Sequence, residues 1–230
     1  MIMGSNERNG ADSLSARTYQ TLKHRIVARQ LKPGVKLDIA ALEAELGVSR
    51  MPILDALTRL EHDGLVTIRN RVGTYVTPLN VELFEEIYDV RIMIEQWVTP
   101  QIIMHISNRD IADFQALLGN AQQLLENVTD EAFDYLEFTR IDEQFHLELI
   151  RLSKNRRIIN WYATLNTHIQ TARAYSLRAL ERSKEGQEEH ECILAAFAAR
   201  DVEGARQAQL LHAERSRQGI LRLLEIHGEI

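Results

Sequence analysis

The chain has 230 residues, 45% of them hydrophobic and 26% charged, a balance typical of globular chains and sufficient for one large domain or two small ones. A single cysteine, Cys192, excludes an internal disulfide and a Cys-based zinc cluster, and no apolar run approaches the roughly 18 to 20 residues that cross a bilayer. The opening "MIMGSNERNGADS" is polar and has no run of signal-peptide length, so the expected location is the reducing cytoplasm, with no membrane partner. The net charge of −6 is unevenly spread. Residues 1–78 hold 11 Lys and Arg against 8 Asp and Glu, net +3, which leaves 16 against 25, net −9, for residues 79–230. A basic first third and an acidic remainder suggest two modules with different partners.

Residues 1–13 lack apolar periodicity and are expected to form a flexible tail. From Leu14 the spacing of Leu14, Tyr19, Leu22, Ile26 and Val27 predicts a helix that ends at the Pro33-Gly34 turn. "DIAALEAELG" predicts a short helix capped by Asp38 and closed by Gly47. "SRMPILDALTRLEHDG" predicts a third helix that starts at Ser49 and stops at Gly64. "LVTIR" and "GTYVT" are β-rich runs separated by Asn70, Arg71 and Val72, which predicts a hairpin. Two helices joined by a Gly-containing turn and followed by a hairpin make the pattern of a winged helix-turn-helix over residues 14–78. The third helix would then read double-stranded DNA. Its first residues, Ser49, Arg50 and Met51, would approach base edges, while Arg69, Asn70 and Arg71 at the hairpin tip and Arg59 would meet phosphates or the minor groove.

Beyond residue 79 nearly everything has helical periodicity. Six helices are expected, over about 81–106, 109–127, 130–153, 155–182, 186–199 and 201–227. Their short connections imply an antiparallel six-helix bundle over 79–230, so the fold class is mainly α. Within "RIDEQFHLELIRLS", Asp142 and His146 lie one turn apart on a helix and can point at a common object. His190 stands three, four and seven residues before Ile193, Leu194 and Phe197, on the apolar face of its helix. His212 has Gln209 and Ser216 as its helical neighbours. Each alone has an ordinary explanation, a surface pair or a hydrogen-bonded core histidine. Together they make a ligand set suited to a borderline divalent metal ion such as zinc, nickel or manganese. Imidazole and carboxylate ligands leave coordination positions open to water or a small carboxylate.

Over residues 14–227 the order of parts resembles the GntR family of transcription regulators, in the FadR subfamily whose effector domain is called FCD. The resemblance rests on "LKPGVKL", "LGVSRMPILDALTRLEHDGLV" and "GTYV" in the first module, and on "DVRIMIE", "DEQFHLELIRLSKN", "EEHECILAAFAARDVEGA" and "LHAE" in the second. Six bundle helices make the second module similar to the VanR-type branch. The resemblance implies a metal held by Asp142, His146, His190 and His212, and a homodimer on a pseudo-palindromic operator with half-sites about one DNA turn, roughly 34 Å, apart. It further implies a repressor released by a small organic acid. Arg91 and Glu95 in "DVRIMIEQW" match a position where an arginine faces the effector cavity; Asn155 and Arg173 are further candidates there. Leu54 departs from the family pattern by standing where a DNA-contacting arginine is expected, which removes a contact of about 1–3 kcal/mol. The alternatives are a metal-dependent hydrolase and a regulator whose metal is purely structural.

Overall fold

The computed structural model describes residues 6–78, 80–173 and 180–227. The chain divides into two compact units that meet in sequence at residues 79 and 80. The first contains α1 (Asn6–Val27), β1 (Lys36–Leu37), α2 (Ile39–Leu46), α3 (Arg50–His62), β2 (Val66–Arg69) and β3 (Gly73–Val76). Its core gathers Leu22, Ile26, Leu37, Ile53, Leu57 and Leu60, all buried, each contributing about 1.5–3 kcal/mol by leaving water. Asp38 caps α2 by accepting from the amides of Ala40 and Ala41, and Gly47, at φ 63°, closes it with its amide donating to Glu43 O. Ser49 precedes α3 in extended geometry but makes no side-chain cap bond.

Two features differ from expectation. The helix expected from Leu14 starts at Asn6, within the stretch expected as a flexible tail, and residues 1–5 lie outside the described residues. Once nucleated, a helix extends through residues of average propensity at little cost, with no apolar period to announce it. The hairpin also gains a third strand, with β1 pairing antiparallel to β3 (Lys36 opposite Tyr75, Leu37 opposite Thr74) and β2 completing the order β1-β3-β2. Two residues are too few to show alternation.

The second unit contains α4 (Val81–His105), α5 (Asn108–Leu125), α6 (Tyr135–Arg151), α7 (Arg156–Arg173), α8 (Leu180–Ala198) and α9 (Val202–His227). Its apolar core collects Val98, Ile102, Phe114, Phe145, Leu149 and Phe197 from α4, α5, α6 and α8. Pro100 lies within α4 without ending it. Helix α6 begins at Tyr135 instead of residue 130, because Asp134 accepts from the Glu137 amide and caps it there. The break expected between residues 182 and 186 is helical within α8. Small residues, Ser183 and Gly186, take the buried positions there while Glu181, Lys184 and Glu185 face water, so size carries the period that hydrophobicity does not. The helix expected to reach residue 182 is described as far as Arg173; residues 174–179 lie outside the described residues.

Candidate functional site

Beside that apolar core the second unit buries a polar layer. Asp142 and His146 enter it from α6, His190 from α8, His212 from α9, and Arg91 and Glu95 from α4, each at most 5% exposed. The Nε2 atoms of His190 and His212 each lie 3.1 Å from Nε2 of His146. Nitrogens bound about 2.0–2.1 Å from a zinc-type ion stand roughly 3.0 to 3.4 Å apart, so this spacing is the edge of a coordination shell. Nε2 of His146 also faces Arg91 Nη2 at 3.2 Å. One ring nitrogen offers a single proton or a single lone pair and cannot satisfy three nitrogens at once. The donor set therefore fits a cation shared by the three rings.

The electrostatics agree. Burial holds the pKa of His146 and His212 well below the usual value and brings His190 down to about 4; the Arg91 charge adds to the effect on His146. All three imidazoles are neutral at pH 7, the form that binds metal. Burial works against ionisation of Asp142, but the Arg173 guanidinium beside it brings its pKa down to about 2. Asp142 stands at the edge of the cluster, with Oδ1 3.5 Å from His190 Nε2 and the other oxygen held by Arg173. The closest group is thus the three histidines.

Several neighbours orient these ligands. Nδ1 of His212 lies 2.8 Å from Oε2 of Glu189, to which it donates, leaving its Nε2 lone pair toward His146. Glu189 also accepts from Arg182 at 2.8 Å and Arg215 at 3.2 Å. Arg91 and Glu95 are buried together; Arg91 Nε donates to Glu95 at 2.9 Å and Tyr162 donates to the same oxygen. Burial opposes the Arg91 charge, yet Glu95, Tyr162 and Tyr88 hold its pKa well above the usual value. Arg173 also donates to Ser216 at 3.1 Å. A cavity of about 690 Å³ opens beside Asp142, Arg173, His212, Arg215 and Ser216. Asn155, expected among the effector residues, caps α7: its Oδ1 accepts from the amides of Arg157 and Ile158, as the first turn of a helix requires. Neither Glu189 nor Tyr162 is marked as a site residue by the sequence, though Glu189 repeats in phase with Ile193 and Phe197, and Ser216 stands out there only as a helical neighbour of His212.

In the first unit the predicted readers sit on the surface. Met51 is 63% exposed, and Arg50 is exposed with a long ion pair of 3.8 Å to Glu43. Ser49, with no cap bond, keeps its hydroxyl available. Arg59 stacks 4.2 Å over the ring of Tyr19, whose hydroxyl donates to Asp63, and Arg69 lies 4.9 Å over Tyr75. Asn70 and Arg71 form the exposed hairpin turn, Arg71 in the left-handed region at φ 61°. Leu54 is half-buried on α3.

Residues 14–76 match the bacterial regulatory proteins of the gntR family, and residues 86–215, more than half the chain, match the FCD domain. The chain belongs to the GntR family of transcription regulators with a C-terminal FCD domain; the family and its named relatives regulate transcription and are not enzymes. It is 28% identical over 207 residues to the HTH-type transcriptional regulator YdhC of Bacillus subtilis, covering 90% of this chain and 91% of that one. It is 30% identical over 141 residues to the gluconate operon transcriptional repressor of the same organism, covering 60% of this chain and 55% of the repressor. Among solved structures, McbR/YncC of E. coli superposes with a TM-score of 0.79 over 91% of this chain and 98% of its own, at 23% identity, a likeness of fold. Among the described residues no helix is long and apolar enough to cross a membrane.

Proposed function

We propose that this chain is a cytoplasmic, homodimeric repressor whose grip on a pseudo-palindromic operator is controlled by a small organic acid at a metal centre in the helical unit. The observation that carries the reading is the convergence of three neutral, buried imidazoles, with Nε2 of His190 and Nε2 of His212 each 3.1 Å from Nε2 of His146. His146, His190 and His212 would hold the ion with Asp142 as a fourth ligand, and the FCD family is one in which metal binding occurs. Zinc, nickel and manganese all suit this donor set, and the bound ion would supply a Lewis-acid position for a carboxylate oxygen. Arg91 keeps a charge beside that position and would orient the acid; Arg173 would hold Asp142 ionised and aimed inward. The fork of an arginine matches a carboxylate in shape and charge.

On the DNA side, Arg50 and Met51, exposed at the start of α3, would read base edges, with Ser49 beside them. Arg59, Arg69, Asn70 and Arg71 would position the unit on phosphates. The repressor sense draws on the gluconate operon repressor. Regulation requires only that the acid bind one arrangement of the protein better than another, for a coupling of about 1–3 kcal/mol. The test is fluorescence anisotropy on an operator selected from random DNA, with zinc-loaded and metal-free protein, titrated with a panel of small carboxylic acids. Release of DNA by an acid only from the loaded protein supports the proposal; identical responses with and without zinc contradict it.

A further inference from the structure

Four side chains recur on one face of α7. Tyr162, Asn166, Gln170 and Arg173 stand at i, i+4, i+8 and i+11, the spacing of a single helical stripe. Both ends of the stripe touch the groups around the histidines. Tyr162 donates to Glu95, which binds Arg91, and Arg173 donates to Asp142. Helix α7 packs against α4 and α6, the helices that carry Arg91, Asp142 and His146. The amides of Asn166 and Gln170 lie between these anchors and are 2% and 7% exposed.

Their hydrogen bonding is incomplete in one consistent sense. Asn166 Nδ2, Gln170 Nε2 and Arg91 Nη1 are buried without a hydrogen-bond partner among the described residues, and all three are N–H donors. Burying such a donor unmet costs about 1–3 kcal/mol, more for a charged group, so native proteins rarely leave such donors unanswered. What answers donors is an acceptor, and beside a guanidinium an anionic oxygen answers best. The fourth buried orphan of this unit, Gln187 Oε1, is not part of the stripe, because the amide nitrogen of Gln187 is bound to Leu118 O on α5.

We propose that Asn166, Gln170 and the Arg91 Nη1 edge form a second oxygen-binding subsite next to the metal centre, so that the effector is a dicarboxylate with one carboxyl at the metal and the other on this donor row. The proposal rests on the metal-centre reading above, and its test keeps the two apart. Zinc affinity of the full chain is measured first by chelator competition. Isothermal titration of the zinc-loaded protein then compares succinate, butyrate and 4-aminobutyrate, which share a four-carbon length and end in an anion, a methyl and a cation.

Succinate binds tightest, by about tenfold or more over butyrate, as a charged hydrogen bond implies, and 4-aminobutyrate binds weakest. Asn166→Asp and Gln170→Glu keep the shape, replace a donor by an anionic acceptor, and abolish the preference for succinate while zinc affinity stays near the original. If a variant does not fold, as judged by circular dichroism, the comparison of the three probes on the original chain still decides. Failure to bind zinc overturns the metal centre itself. Zinc binding with succinate no better than butyrate, or with no probe bound and only water on the amides, overturns the donor row alone.

Discussion

The two units place their polar residues in opposite ways. In the first, the interior is apolar among the described residues apart from two threonines and the half-buried Tyr19–Asp63 contact, while Arg50, Arg69, Asn70 and Arg71 stand in water. In the second, charged and imidazole groups occupy the interior: Arg91, Glu95, Asp142, Glu189 and three histidines are at least 94% buried. A DNA reader works by exposure, since phosphates and base edges must reach it. A sensor works by burial, where low dielectric strengthens each contact and an unmatched charge is expensive. Substitutions at functional positions should therefore differ between the units, mainly weakening an outside partner in the first and disturbing the interior as well in the second.

The largest effect expected is that of His146→Ala. It removes the nitrogen that both other rings face and lowers zinc affinity by more than the roughly 10–100-fold that loss of an outer partner causes. Chelator competition reads this, and an unchanged affinity would place the metal elsewhere. Glu189→Gln comes next. The buried carboxylate no longer fixes the His212 ring, so zinc affinity falls by about 10–100-fold, and nitrogen-15 NMR of the imidazole shows a mixture of tautomers in place of the Nδ1–H form.

On the exposed side, Arg50→Ala weakens operator binding by about 1–3 kcal/mol without lowering thermal stability, checked by anisotropy and melting on the same preparation. A fall in melting temperature of several degrees would show that Arg50 serves the fold and not the reading of DNA.

Tyr19→Phe gives the smallest effect, about 1 kcal/mol of stability from one lost hydrogen bond. It also carries a pH signature. Burial, reinforced by Asp63, raises the Tyr19 pKa far above the usual 10, so the unfolded chain gives up this proton first and stability falls as pH rises beyond about 10. The substitution should flatten that alkaline limb, as measured by urea unfolding between pH 8 and 11.

The sequence reveals these regions unequally, for physical reasons. The helices of both units are legible because a buried face imposes a period, and the spacing of Asp142 and His146 shows only that the two can face one object, which gains weight beside His190 and His212. His190 and His212 could be placed inward from their neighbours. Glu189 could not be recognised as easily: it sits in "QEEHE", where consecutive polar residues resemble a solvated face, and only its phase with Ile193 and Phe197 marks it as buried. Tyr162 and Ser216 act through partners 67 and 43 residues away, Glu95 and Arg173, and no local pattern reports such pairings. The strand β1 is too short to announce itself, and the helical start at Asn6 shows that polarity is a poor guide to where a helix begins. The side chain of Asn155 has a local task, capping α7, that spacing in the sequence does not separate from a functional one.

X-ray absorption of the zinc-loaded full chain tests the central claim most directly. Three imidazole nitrogens at about 2.0–2.1 Å, with one or two oxygens completing the shell, is the result expected when His146, His190 and His212 share one ion. A shell of oxygens with one imidazole or none would contradict it.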